Sequence, residues 1–174
     1  KGVIVEVPTD ASQFSVAVPN FQNKREELAF NAEKPLFSET DGKVVGEHQG
    51  AHYFTIGQRK GLNVGGTKEP LFVIDTDVEK NIIYTGQGKL HPGLYRHTLF
   101  VNEDELHWVR PDLALKVDET MEVMARIRYR QPLQPATLYK IENGLYVDFR
   151  KNNPPLPKGS LWPGILMMNW WGLG

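Results

Sequence analysis

The chain has no cysteine among its 174 residues. That removes disulfides, thiolate metal sites and thiol nucleophiles at once, and a cytoplasmic protein is the expectation. Charge of one sign is lacking too: 20 Lys and Arg stand against 21 Asp and Glu. An anionic partner would then have to be met by a local cluster of cations, not by a basic surface overall. No apolar run reaches spanning length and the opening "KGVIVEVPTD" has no signal core, so no membrane association is expected. Ser-His-Asp order, paired carboxylates and a dinucleotide fingerprint are likewise missing. The first residue is a lysine leading straight into strand-like "GVIVEV", which makes a piece of a longer protein the expectation.

What is present reads as β structure. "GVIVEV" is β-branched and alternating, and Pro8 to Asp10 ends it. "NKREELAFNAEK" offers two helical turns with Asn23 as cap and Glu26 three residues on, but its apolar stripe is thin, so a surface insertion is expected. Asp41-Gly42 predicts a hairpin turn with Lys43 to Val45 as the following strand. "HYFTIGQRKGL" predicts a strand end passing into a short helix stopped by Gly61. Leu71 to Asp75 and Ile82 to Thr85 predict a second hairpin, and Pro92-Gly93 a link between modules. Beyond it "TLFV", "ELHWV", Thr120 to Arg130, and the pair Thr137 to Ile141 with Leu145 to Phe149 predict strands, the last two joined by a type I′ turn at Asn143-Gly144. The fold class expected is mainly β: a small β-rich central domain over 41–95 and a β-barrel over 96–150, with 1–40 as junction and insertion and 151–174 as a tail.

Two places could meet an anion. In "TMEVMARIRYR", Met121, Val123, Ala125, Ile127 and Tyr129 share one face of a strand while Glu122, Met124, Arg126, Arg128 and Arg130 share the other. The arginines then project about 7 Å apart, near the spacing of phosphates along a nucleic-acid strand. Gln131 and Gln134 extend the stripe, and Tyr129 is placed to stack if its edge is exposed. The bland alternative is a solvated face paired with Glu119 or Glu122. The second place is the glycine-rich "GQRKGLNVGG", where Gln58, Arg59 and Lys60 stand beside an open backbone suited to a phosphate, although the P-loop spacing is missing and a plain loop is the alternative. His48 and His52 beside Glu47 would suit a metal on a helix, but Gly50 spoils a helix and no third ligand is in reach, so no metal is expected and a metal-dependent hydrolase rests on those two residues alone. From the residues alone the chain is a β-rich binding module.

"GKVVGEHQGAHYFTIGQRKGLNVGG" resembles the central-domain signature of tRNA-specific 2-thiouridylases, and "HWVRPD" and "ARIRYRQ" resemble stretches of their C-terminal barrel. The resemblance implies an enzyme that binds ATP, with magnesium, through an SGGxDS loop, adenylates the 2-carbonyl oxygen of the wobble uridine in tRNAs for Glu, Gln and Lys, and thiolates it with a cysteine persulfide. A sulfur-relay protein or cysteine desulfurase would charge that cysteine. This sequence holds neither the loop nor a cysteine, so the expectation is an inactive, tRNA-gripping portion that binds no cofactor itself. The family's RYRQ contact falls on Arg128, Tyr129, Arg130 and Gln131, next to Arg126; GQRKGL falls on Gly57 to Leu62, as tRNA or cleft contact. A protein-docking barrel of translation-factor type, meeting an acidic partner, is the competing reading. Family members end in a pattern resembling "AITxGQFAAWY", whereas this chain ends "NNPPLPKGSLWPGILMMNWWGLG". A displaced frame of the bases encoding that tail can give "AITKGQFVAWYINDELVGFG". A one-base slip near Phe149 to Lys151 is therefore expected, leaving the barrel without its last strands and with an open edge.

Overall fold

The computed structural model describes residues 1–126 and 132–149, together with the backbone of two short strands in the tail. The strands are β1 (Gly2–Glu6), β2 (Lys43–His48), β3 (Leu71–Asp77), β4 (Ile82–Gln87), β5 (Tyr95–Arg96), β6 (Thr98–Asn102), β7 (Thr120–Arg126), β8 (Gln134–Ile141), β9 (Gly144–Asp148), β10 (Leu156–Pro157) and β11 (Met167–Asn169), with one helix, α1 (Lys24–Ala32). The protein is mainly β. It divides into two compact units: Lys1–Pro19 with Lys34–Tyr95 and Leu156–Gly159, and Asn20–Glu33 with Arg96–Pro155 and Ser160–Gly174.

The first unit holds a four-stranded sheet in the order β2-β1-β4-β3. β1 runs antiparallel to β2 and parallel to β4, and β3 and β4 form the expected hairpin. Both faces of this sheet are covered, which is why its central strands read as nearly unbroken apolar runs. Ile4 and Ile83 go to one side with Ala51, Leu62, Leu71 and Val73; Val5, Ile82 and Tyr84 go to the other with Val7, Ile74 and Leu94. Ile74 follows the ordinary alternation of β3 onto the second face with Phe72, and the register with β4 shifts between Val73 and Asp75.

The expected turn at Asp41-Gly42 is not a hairpin turn. Asp41 instead caps a 3-10 turn over Glu39–Asp41, accepting the Ser38 N–H, and Gly42 is extended at φ −155°. That backbone hydrogen bond holds the Asp41 carboxyl below its ordinary value. β2 pairs with the distant β1, and Gly42 is there because a Cβ would stand 2.1 Å from the Glu6 carbonyl oxygen.

The second unit holds a five-stranded sheet in the order β11-β7-β8-β9-β6. Closure into a barrel is not seen among the described residues. On β7, Val123 and Ala125 are buried and Glu122 is exposed, as the alternation predicts. "ELHWV" does not form a strand: Glu103–Glu105 is a 3-10 turn in which the Glu105 carboxylate accepts the Asn102 N–H, turning the chain away. The β8–β9 hairpin forms, but through Glu142-Asn143, and neither residue has a positive φ. Gly144 is needed for a different reason, since a Cβ would meet the Val101 carbonyl at 2.3 Å and the Phe100 ring at 2.6 Å. The insertion is ordered into α1, with Asn23 accepting the Glu26 N–H at 2.9 Å and Leu28 buried against Ile141 and Tyr146. An open edge was expected where the last strands are missing; in the tail, Met167–Asn169 pairs with Met124–Arg126 of β7.

Candidate functional site

The glycine-rich stretch is a bend laid along the free edge of β3. The Gly57 N–H donates to the Val73 carbonyl at 2.7 Å, and the Val73 N–H to the Gln58 carbonyl at 2.9 Å. Those bonds use the outer polar groups of an edge strand that would otherwise be open. They also replace the short helix expected before Gly61, because a residue paired across to β3 cannot bond along a helix. Gly57, Gly61 and Gly66 take φ of 85°, 90° and 80°, and Asn63 takes 53°, a left-handed course that glycine and asparagine tolerate. Leu62 is buried at 4 % exposure in the core with Val64 and Phe54 packed beside it, which anchors the bend.

That anchoring decides which side chains face solvent. Gln58 is turned inward: its Oε1 accepts the Thr55 N–H at 3.1 Å and its Nε2 donates to the Lys60 carbonyl at 2.8 Å, closing the turn. Arg59 and Lys60 are exposed. Neither makes a side-chain hydrogen bond or ion pair among the described residues. Beside them lies a hollow of about 380 Å³ lined by Arg59, Leu62, Asn63, Thr67, Lys68 and neighbouring residues up to Leu71. The sequence reading passed over Asn63, Thr67 and Lys68. The signal for them is slight, a lysine two residues after a glycine pair.

The arginine strand belongs to the second unit. Arg126 is half-buried on the Glu122 face of β7, and Glu122 accepts from the Thr137 hydroxyl at 3.1 Å. Gln134 is half-buried and paired with Ala125. Arg128, Tyr129, Arg130 and Gln131 lie outside the described residues. In "HWVRPD", the Arg110 guanidinium forks onto the Asp112 carboxylate at 2.8 and 2.6 Å, holding that carboxyl below its ordinary value. Arg110 is thus already engaged.

The two histidines do not converge. His48 is buried, with Nδ1 accepting the Gly50 N–H at 3.0 Å and its ring edge-on to Phe54; His52 is exposed and packs on Tyr53. Among the described residues no cluster of three metal-ligating side chains occurs, and no helix is long and apolar enough to cross a membrane.

Two units of small sheets, with cations gathered on a glycine bend, define a β-rich module without an assembled catalytic constellation among the described residues. The family described as "tRNA methyl transferase PRC-barrel domain" matches residues 27–87. The chain is 58 % identical over 159 residues to the tRNA-specific 2-thiouridylase MnmA of Christiangramia forsetii, covering 91 % of this chain and 40 % of that protein. It is 53 % identical to MnmA of Flavobacterium johnsoniae with the same coverage, and 44 % identical over 149 residues to that of Karelsulcia muelleri, covering 86 % and 36 %. The chain belongs, as a partial member, to the tRNA-specific 2-thiouridylase family. It spans about two-fifths of the length of the curated relatives it matches.

Proposed function

We propose that this chain is the tRNA-binding portion of a 2-thiouridylase that thiolates the wobble uridine of tRNAs for Glu, Gln and Lys at its 2-position. The observation that carries the reading is the pair of exposed, unpaired cations, Arg59 and Lys60, held on a bend whose core residue Leu62 leaves it little freedom. Unpaired cations grip phosphate without first shedding a carboxylate, and phosphate contacts position an RNA without reading its sequence. Relatives named for a tRNA-specific activity, and a family described by another tRNA activity, share the polymer and differ in the chemistry. Arg126, Arg128, Tyr129, Arg130 and Gln131 form the second contact. Gln58 contributes by shaping the turn.

The reaction belongs to the whole enzyme. ATP with magnesium, the persulfide cysteine and the sulfur-relay protein or cysteine desulfurase that charges it act with parts this sequence does not contain, since it holds no cysteine and no SGGxDS loop. The cytoplasm, where tRNA is modified, is its place of action. Binding to a tRNA-Glu transcript across a salt series tests the reading. With three to five phosphates contacted, log K falls against log salt with a slope of roughly −3 to −5. A flat response overturns it and favours an acidic protein partner.

A further inference from the structure

We infer that the hollow beside the bend receives one phosphodiester of the tRNA backbone, held between Arg59 and Lys68, with Asn63 and Thr67 donating to it or to the adjoining sugar. This rests on the reading of the chain as a tRNA-binding portion and adds to it a defined site and three residues.

The cavity measures about 380 Å³, within the lower part of the range of about 300–1,000 Å³ usual for ligand clefts. Leu62 and Leu71, only 4 % and 5 % exposed, are the buried core residues in its lining. Its rim is polar. Arg59, Asn63, Thr67 and Lys68 make no side-chain hydrogen bond or ion pair among the described residues, so four donors stand ready around one space.

The one acid at the rim, Glu69, is drawn off. Its carboxylate lies over Gly88, where a Cβ would stand 1.9 Å from Oε2, and its N–H donates to Gln87 Oε1 at 3.2 Å. It makes no ion pair with Lys68 among the described residues. Gly65 and Gly66 complete the approach: a Cβ added at either would meet nothing within 4 Å, so the backbone there is open to a close-lying strand. No aromatic side chain lines the hollow. A base would find no stacking partner, which favours a backbone phosphate over a free nucleotide read through its base.

The test uses the 174-residue chain and a tRNA-Glu transcript, with affinity measured by fluorescence anisotropy across a salt series. Lys68→Ala is expected to weaken binding about three- to tenfold at low salt and to reduce the salt slope by about one, with Lys68→Arg restoring both. Lys43→Ala, an exposed cation at the opposite edge of the same sheet, is expected to leave the slope unchanged. If the parent chain binds with a slope of roughly −3 to −5 and Lys68→Ala keeps it, the hollow is not a phosphate site while the tRNA reading stands. If the parent chain shows no salt-dependent binding, both fall. Calorimetric titration with AMP and with inorganic phosphate separates sources: saturable AMP binding much tighter than phosphate would make the hollow a free-nucleotide site and overturn the proposal.

Discussion

Four described cations of the second unit are paired with carboxylates. Lys24 lies 3.1 Å from Glu27 and 3.5 Å from Asp148, Arg25 2.8 Å from Glu142, Arg110 2.6 Å from Asp112, and the buried Lys140 2.7 Å from Glu103. The glycine bend of the first unit differs: Arg59, Lys60 and Lys68 have no such partner among the described residues. Exposed ion pairs contribute little to stability, so the pairing matters less for holding the fold than for what remains on offer. A guanidinium already forked onto a carboxylate must exchange one anion for another to bind RNA. An unpaired one exchanges only water.

The sharpest way to break this comparison is to remove the anchor of each region. Leu62→Ala and Leu28→Ala both empty a buried leucine site, and each is expected to cost about 2–5 kcal/mol in chemical denaturation. They should part on RNA binding. Loss of Leu62 frees the bend and flattens the salt slope, whereas loss of Leu28 loosens α1 and leaves the slope intact. Equal effects on the slope would show that the anchoring of the bend does not matter for binding.

A smaller effect separates charge from fold. Arg59→Ala and Arg25→Ala remove the same charge from the surface, one unpaired and one 2.8 Å from Glu142. Anisotropy against salt is expected to show the slope reduced by about one for Arg59→Ala and unchanged for Arg25→Ala. If both reduce it equally, the protein acts through net charge and the comparison dissolves.

How much of this could be read in the sequence depended on the range of the interaction. The β3–β4 and β8–β9 hairpins were legible because alternation and turn chemistry lie within a few residues of one another. The pairing of β1 with β2 was not, since α1 intervenes and the nearest turn signal, Asp41-Gly42, serves a cap and a close approach. That the stretch bends was legible from its glycines. The inward turn of Gln58 was not, because an amide side chain serves equally well inside a turn or facing a partner, and only the bonds to Thr55 and Lys60 decide. Lys68 escaped notice because the hollow exists only once the bend folds back on Leu71.

Acid should affect both units alike. Asp41 and Asp77 in the first are lowered chiefly by backbone N–H groups, of Ser38 and Lys80; in the second, Asp112 is lowered chiefly by the Arg110 hydrogen bond, and Glu142 by its own N–H and then by Arg25. A depressed carboxyl contributes stability that is present above its unfolded value and lost as pH falls through the folded one. Thermal midpoints should therefore decline from the ordinary glutamate and aspartate values of 4.5 and 3.8 downward, and Asp77→Asn should make that decline shallower. A midpoint flat through that range would contradict the cause assigned.

The smallest expected effect concerns buried polar groups. Lys140 is buried but satisfied, donating to Glu103 at 2.7 Å and to the Ile141 carbonyl at 2.6 Å. The Tyr84 hydroxyl is buried with no hydrogen-bond partner among the described residues. Removing an unpaired polar atom relieves a desolvation cost and breaks no bond, so Tyr84→Phe is expected to be neutral or more stable by up to about 1 kcal/mol. Burial raises the Tyr84 pKa above 10.0, with the charges of Asp77 and Asp41 adding to it. Tyr84 is neutral in both states below 10.0, and above it the unfolded chain ionises first, so stability falls as pH rises from there through the folded value and the phenylalanine variant should shed that alkaline limb. Denaturation midpoints compared across the alkaline range check this. Destabilisation by Tyr84→Phe near neutral pH would mean that the hydroxyl has a partner, and the contrast with Lys140 would disappear.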